Sequence, residues 1–202
     1  MKIAIAQINP IIGDFKYNCR KIKEYTDKAL DFACDLVIFS ELVISGYPPR
    51  DLLERKEFVD ANLEYLNKLI DSIKGIGLIC GFADYSLCAN GNPLYNSAAL
   101  FENGKLLFKA HKILLPTYDV FDERRYFEPC RESSTFLYKG SRIGLTICED
   151  IWNDSSFVKE RFYQADPVAI LIEQGADLII NISASPFFIS KREVRWNMLS
   201  SI

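Results

Sequence analysis

The dipeptide Asn103-Gly104 constrains this chain more than any other feature, because it lies between two β-patterned runs, 95–102 and 105–111. Asn-Gly supplies positive φ at two successive positions, which a tight hairpin needs for its twist to match the flanking strands. The middle of the chain is therefore sheet. A further strand is expected at 78–85, and 134–139 with 142–148 read as a second hairpin that ends at Cys148. Helical periodicity brackets this centre. After an alternating strand at 2–9, Asp14 can cap a helix whose buried face is Phe15, Cys19, Ile22, Thr26, Ala29, Leu30 and Ala33. A short buried strand, 36–40, delivers Glu41 at its end. Pro48 and Pro49 mark a loop, and helical pieces near 51–55 and 57–74 stop at Gly75 and Gly77. A polar, proline-bearing loop covers 115–133, followed by a helix at 166–174, a buried strand at 177–182 and a last helix at 191–202. These readings give one domain of mixed α and β character over residues 1–202. The last helix carries no Gly, Asn or basic residue in its final turn, so the chain is expected to be a fragment of something longer.

Scarcity narrows the function. Lys and Arg number 24 against 27 Asp and Glu, a net charge of −3. That balance builds no phosphate-attracting field, which argues against nucleic acid as a partner. No apolar run approaches the roughly 18 residues of a membrane span, and the apolar stretch 3–6 is too short for a signal-peptide core. A cytoplasmic protein is expected. A Ser-His-Asp hydrolase would have to use the single histidine, His111, and a multi-histidine metal site is impossible. The six cysteines, Cys19, Cys34, Cys80, Cys88, Cys130 and Cys148, form no CxxC pair. Reduced thiols fit better than a zinc cluster or a disulfide framework.

Three polar residues stand where an apolar strand meets a loop: Glu41, Lys112 and Cys148. Strand ends suit catalysis, since the strand fixes the backbone while the loop leaves room for substrate. A thiol is a strong nucleophile only as thiolate and needs a proton acceptor, which a carboxylate can be. A lysine ammonium suits the oxyanion that forms on an attacked carbonyl. The plainer readings are a solvated carboxylate, a surface lysine and an inert core cysteine. His111 reads as structural and the other five cysteines as packing. Trp152, Phe157 and Phe162 read as core rather than as a ligand platform.

The words around the trio are SELVISGYPPRDLL (40–53), HKILLPTYDVFDERRYF (111–127), GLTICEDIW (144–152) and NISASPF (181–187). In this order they resemble the carbon–nitrogen hydrolase, or nitrilase, superfamily. Within it, GYPPRDLL, YDVFDERRYF and ICEDIW are similar to the amino-terminal glutaminase domains of glutamine-dependent NAD+ synthetases. The resemblance implies an α/β fold, a four-layer α-β-β-α sandwich with its carboxyl-terminal strands missing, which would expose a sheet edge. It implies Cys148 as nucleophile, Glu41 as general base and Lys112 as stabiliser of the oxyanion during hydrolysis of the glutamine side-chain amide. Tyr118 and Ser185 match glutamine-binding positions, as does Lys191, with Arg192 as the competing cation. Glu123 matches a second carboxylate that supports the lysine and the base; its other reading is a salt bridge to Arg124, Arg125 or another neighbour. Glu149 and Asp150 read as helix-start and structural carboxylates.

The same resemblance implies no metal and no cofactor for the glutaminase step. ATP and Mg2+ serve a synthetase domain of the same parent chain, whose SGGxDS signature is not found in these 202 residues. L-glutamine is the implied substrate, and self-association is implied as well. The competing readings are a stand-alone amidase or nitrilase and a catalytically silent interaction domain.

Overall fold

A computed structural model of the chain describes residues 1–153 and 163–201. Strands β1 (Ile3–Ile5), β2 (Leu36–Ile38), β3 (Gly77–Tyr85), β4 (Leu94–Glu102) and β5 (Lys105–His111) form one sheet in sequence order. The first three are parallel, and β3, β4 and β5 pair antiparallel. The connections explain the change. Helix α1 (Phe15–Asp31) and helix α2 (Lys56–Ser72) fill the two crossovers, whereas Asn103 and Gly104, at φ +53° and +77°, turn β4 directly into β5. A second sheet holds β6 (Thr135–Tyr138), β7 (Ser141–Ile147) and β8 (Leu178–Ile182), with β6–β7 antiparallel and β7–β8 parallel across helix α3 (Pro167–Glu173). Helix α4 (Lys191–Ser201) follows.

The period-two alternation of the strands sorts the core into layers. Val37, Leu78, Cys80 and Phe101 face outward and pack with Ile22 and Ala29 of α1 and Leu66 and Leu69 of α2. Leu36, Ile79, Ala98 and Leu100 face inward and meet Ile143, Leu145, Ile147 and Ile180 of the second sheet. On the far side of that sheet a Cβ at Gly144 would stand 2.9 Å from Leu171 Cδ1 of α3. Helices, sheet, sheet and helix thus follow the expected α-β-β-α order. Each large side chain buried in these seams contributes about 1.5–3 kcal/mol of apolar transfer.

Several expectations need correction. The first strand is three residues long, not 2–9, because β2 supplies ladder partners only through Ile38, where the Ala6 N–H makes the last bond. Residues 50–54 form a 3-10 turn, and Ala33 lies past the end of α1 at φ +51°. Leu30 is partly exposed rather than on the buried face. Cys34 and Cys80 are core residues, but Cys88 is exposed and Cys130 half-buried, so packing does not account for them. His111 is structural as expected: its Nδ1 lies 2.7 Å from Ser97 Oγ and its ring packs on Tyr95. Trp152 packs in a small cluster with Ile151, Val168 and Met198, while Phe157, Phe162 and Ile202 lie outside the described residues. No helix among the described residues is long and apolar enough to cross a membrane.

Candidate active site

Glu41 is positioned by the continuation of β2 along β3. The Phe39 N–H donates to the Ile79 carbonyl, the Gly81 N–H donates to the Ser40 carbonyl, and Leu42 then turns the chain at φ +46°. A Cβ at Gly81 would stand 2.7 Å from Glu41 Cα, so only glycine lets β3 pass this close behind Glu41. The Glu41 carboxylate is fully buried. Its Oε1 accepts from Lys112 Nζ and Asn96 Nδ2, both at 2.8 Å, and its Oε2 accepts from the Ala184 N–H at 3.0 Å.

Lys112 directly follows β5. Its N–H donates to the Asn96 carbonyl and its carbonyl accepts from the Cys130 N–H, so the backbone is pinned on both sides. The side chain has no solvent exposure, which rules out a surface lysine. Nζ lies 2.8 Å from Glu41 and 2.7 and 2.9 Å from the two Glu123 oxygens. Burial opposes the ammonium charge, but Glu41 and Glu123 outweigh it and hold the Lys112 pKa well above its ordinary value. Glu123 thus pairs with Lys112, not with Arg124 or Arg125. It also accepts from the Tyr47 hydroxyl at 3.0 Å. Burial pushes the Glu123 carboxyl up to about 7 against the pull of Lys112, and the Glu41 charge adds to the rise.

Cys148 follows β7 at φ +48°, a conformation rare for a residue with a Cβ, and it is 3% exposed. Burial raises the thiol pKa strongly, Glu41 adds to this and Lys112 opposes it, so the resting thiol is protonated. The sulfur therefore lies within electrostatic reach of both partners. Asp150 ties the two strand ends together. Its Oδ1 accepts from the N–H groups of Ile113 and Leu114, just past Lys112, and its Oδ2 accepts from the N–H of Ile147, just before Cys148. That is the structural part expected of it, although burial still pushes its carboxyl up to about 6.

Glu149 stands in the first turn of the short 3-10 helix Cys148–Ile151, the helix-start position expected of it, but its contacts reach further. It is buried beside Cys148 and accepts the hydroxyls of Tyr118 at 2.8 Å and Tyr163 at 3.2 Å. Tyr118 is thereby brought to the Cys148 turn. Lys191 joins it: its Nζ sits 4.6 Å above the Trp152 ring and 4.9 Å from that of Phe188, in the field of Cys148 and Glu149, with burial lowering its pKa. Arg192, the competing cation, is exposed. Ser185 is half-buried and lines two open clefts of about 790 and 800 Å3, which share Tyr47, Ala184 and Ser185. Glu123 lines the first cleft and Glu41 the second; Cys148 lines neither. Among the described residues no group of three or more His, Cys, Asp or Glu is placed to hold a metal ion.

The structure thus gathers Glu41, Lys112 and Glu123 in direct contact, with Cys148 in their electrostatic field, and bonds Tyr118 to the neighbouring Glu149, while Lys191 sits over the Trp152 ring. Ser185 stands on the cleft side. Asn96, Tyr47 and Gly81 were not foreseen. The available signal for Asn96 was a polar residue at an inward-facing position of an alternating strand, in line with Ala98 and Leu100.

Residues 2–202 match the carbon–nitrogen hydrolase family, and the chain belongs to it. More narrowly, it is 42% identical over 202 residues to the glutamine-dependent NAD(+) synthetase of Synechocystis sp., covering 98% of this chain and 36% of that protein. It is 38% identical to the synthetase of the same name from Thermotoga maritima, over 99% of this chain and 33% of that one. The glutamine-dependent NAD+ synthetase of Acinetobacter baumannii, solved with ADP, superposes with a TM-score of 0.86 at 33% identity, over 98% of this chain and 35% of that one. An amidase of Nesterenkonia from the nitrilase superfamily shares the fold, with a TM-score of 0.77 at 20% identity over 98% of this chain and 70% of that one. The chain spans about a third of the length of the synthetases it matches.

Proposed function

We propose that residues 1–202 form the glutamine-hydrolysing domain of a glutamine-dependent NAD+ synthetase. The observation that carries this reading is the fully buried Lys112 ammonium, held by Glu41 and Glu123 with a buried Cys148 thiol in their electrostatic field. In this reading Glu41 takes the thiol proton and the thiolate attacks the side-chain amide carbon of glutamine. Lys112 stabilises the oxyanion of the tetrahedral intermediate. Glu41 returns the proton to the leaving nitrogen, because an amide anion is too basic to depart, and ammonia leaves a γ-glutamyl thioester on Cys148. Glu41 then activates the water that releases glutamate.

Glu123 supports Lys112 and the base. Tyr118, Ser185 and Lys191 bind the amino-acid end of the substrate, Lys191 taking the carboxylate. Glu149, a buried carboxylate bonded by two tyrosine hydroxyls, is suited to the α-ammonium. ATP and Mg2+ would serve the synthetase step in a separate domain, and the ammonia would be consumed there. The test is ammonia release from L-glutamine beside a panel of aliphatic amides and nitriles. Turnover of glutamine above the panel is expected; preference for a simple aliphatic amide would instead assign a stand-alone amidase.

A further inference from the structure

Asn96 stands in β4 next to the backbone of Lys112, whose N–H donates to its carbonyl at 2.8 Å. Its side chain is fully buried and faces the seam between the sheets. Nδ2 donates to Glu41 Oε1 at 2.8 Å and reaches Glu123 Oε2 at 3.5 Å, while Oδ1 finds no donor in the protein. The reverse amide orientation would set Oδ1 against two carboxylates, so the neighbours fix this one. A buried carbonyl without a partner is a cost that leucine, of similar volume, would not carry. The amide's return for that cost is its N–H, aimed at two anions.

The titratable groups around this spot are Glu41 after β2, Lys112 after β5, Glu123 and the neutral Cys148 thiol, with Asp150 in the field of Lys112, Glu149 in that of Cys148, and Tyr47 adding a hydroxyl. Glu41 and Glu123 against the one ammonium leave a surplus negative charge among side chains with almost no exposure. Uncharged donors must hold it, or one carboxylate takes up a proton and can no longer act as base. The N–H groups of Ala184 and Asn96 serve Glu41, and the Tyr47 hydroxyl serves Glu123. Asn96 alone of these spans both carboxylates.

We infer that Asn96 is a positioning residue whose amide holds Glu41 and Glu123 in register on Lys112 and keeps both ionised for proton transfer from Cys148. The role rests on the glutaminase reading for its substrate, though not for its geometry. The test uses Asn96→Leu, Asn96→Ser and Asn96→Ala in the protein that carries this chain. Ammonia release from glutamine and alkylation of Cys148 by iodoacetamide, read by peptide mass spectrometry, are both followed against pH.

Asn96→Leu is expected to lower kcat about tenfold to a hundredfold while KM moves less than about threefold, as for a misplaced catalytic group. Its acid limb should rise by about one pH unit in both assays, because a carboxylate that loses a donor holds its proton more tightly. Its thermal midpoint should be unchanged or higher. Asn96→Ser keeps a hydroxyl donor and should move both limbs back towards the parent, whereas Asn96→Ala should not. That pair of small residues carries the test even if the leucine variant does not fold. Limbs that superimpose on the parent, or equal losses for Ser and Ala, would overturn the role. If the parent releases no ammonia from glutamine but the alkylation limb still shifts, the glutaminase reading fails and the Asn96 role stands.

Discussion

Two sets of charges in this molecule share bond lengths and little else. On α1, Glu24 receives the ammonium groups of Lys21 and Lys28, each at 2.9 Å, at the surface. In the site, Glu123 receives Lys112 at 2.7 Å with almost no exposure. The hydrogen bonds from Lys28 and Lys21 lower the Glu24 pKa to about 2, whereas burial raises that of Glu123 to about 7 despite an equally close ammonium. Distance therefore does not decide what an ion pair does. Water around Glu24 solvates the anion and screens its partners, so that pair contributes little beyond local helix support. Burial of Glu123 makes its charge depend on Lys112, Tyr47 and Asn96, and that dependence is what chemistry can use.

The largest break of this contrast is Lys112→Met. It leaves the buried Glu41 and Glu123 without their shared cation, so a stability loss of about 3–5 kcal/mol is expected in urea unfolding, together with loss of ammonia release. A loss no greater than that of a surface lysine would contradict the burial argument. Glu123→Gln sharpens it. Burial pushes the Glu123 carboxyl up to about 7, so activity is expected to rise with pH through that value. Removing one negative charge should move that limb to lower pH, opposite to Asn96→Leu, with kcat reduced about tenfold to a hundredfold. The pH profile of kcat/KM checks the sign. Smallest of all is Lys28→Ala, which should leave the pH profile of ammonia release superimposable on that of the parent and change the thermal midpoint only at low salt.

The sequence made legible whatever local chemistry dictates. Asn103-Gly104 determined its hairpin, Asp14 caps α1 by accepting the Tyr17 N–H, and the ends of apolar runs marked Glu41, Lys112 and Cys148. Contacts between distant segments were not legible in spacing or periodicity. Lys112 lies 71 residues from Glu41, and only the family resemblance, not a spacing rule, tied that carboxylate and Glu123 to one ammonium. Asn96 looked like an ordinary strand residue, since its meaning depends on which face of β4 turns inward. The length of β1 was overestimated because a strand ends where its neighbour leaves, a fact of β2 and not of residues 6–9. The helix-start position of Glu149 was legible, but its partners Tyr118 and Tyr163 were not, because they lie outside that turn.

The most direct test is ammonia release from L-glutamine by the parent and by Cys148→Ala, with acid-quenched samples of the parent searched by mass spectrometry for a γ-glutamyl adduct. The account predicts an adduct on the peptide holding Cys148 and, for the alanine variant, ammonia release at background. Ammonia release that survives in Cys148→Ala, or an adduct carried by another residue, would contradict it.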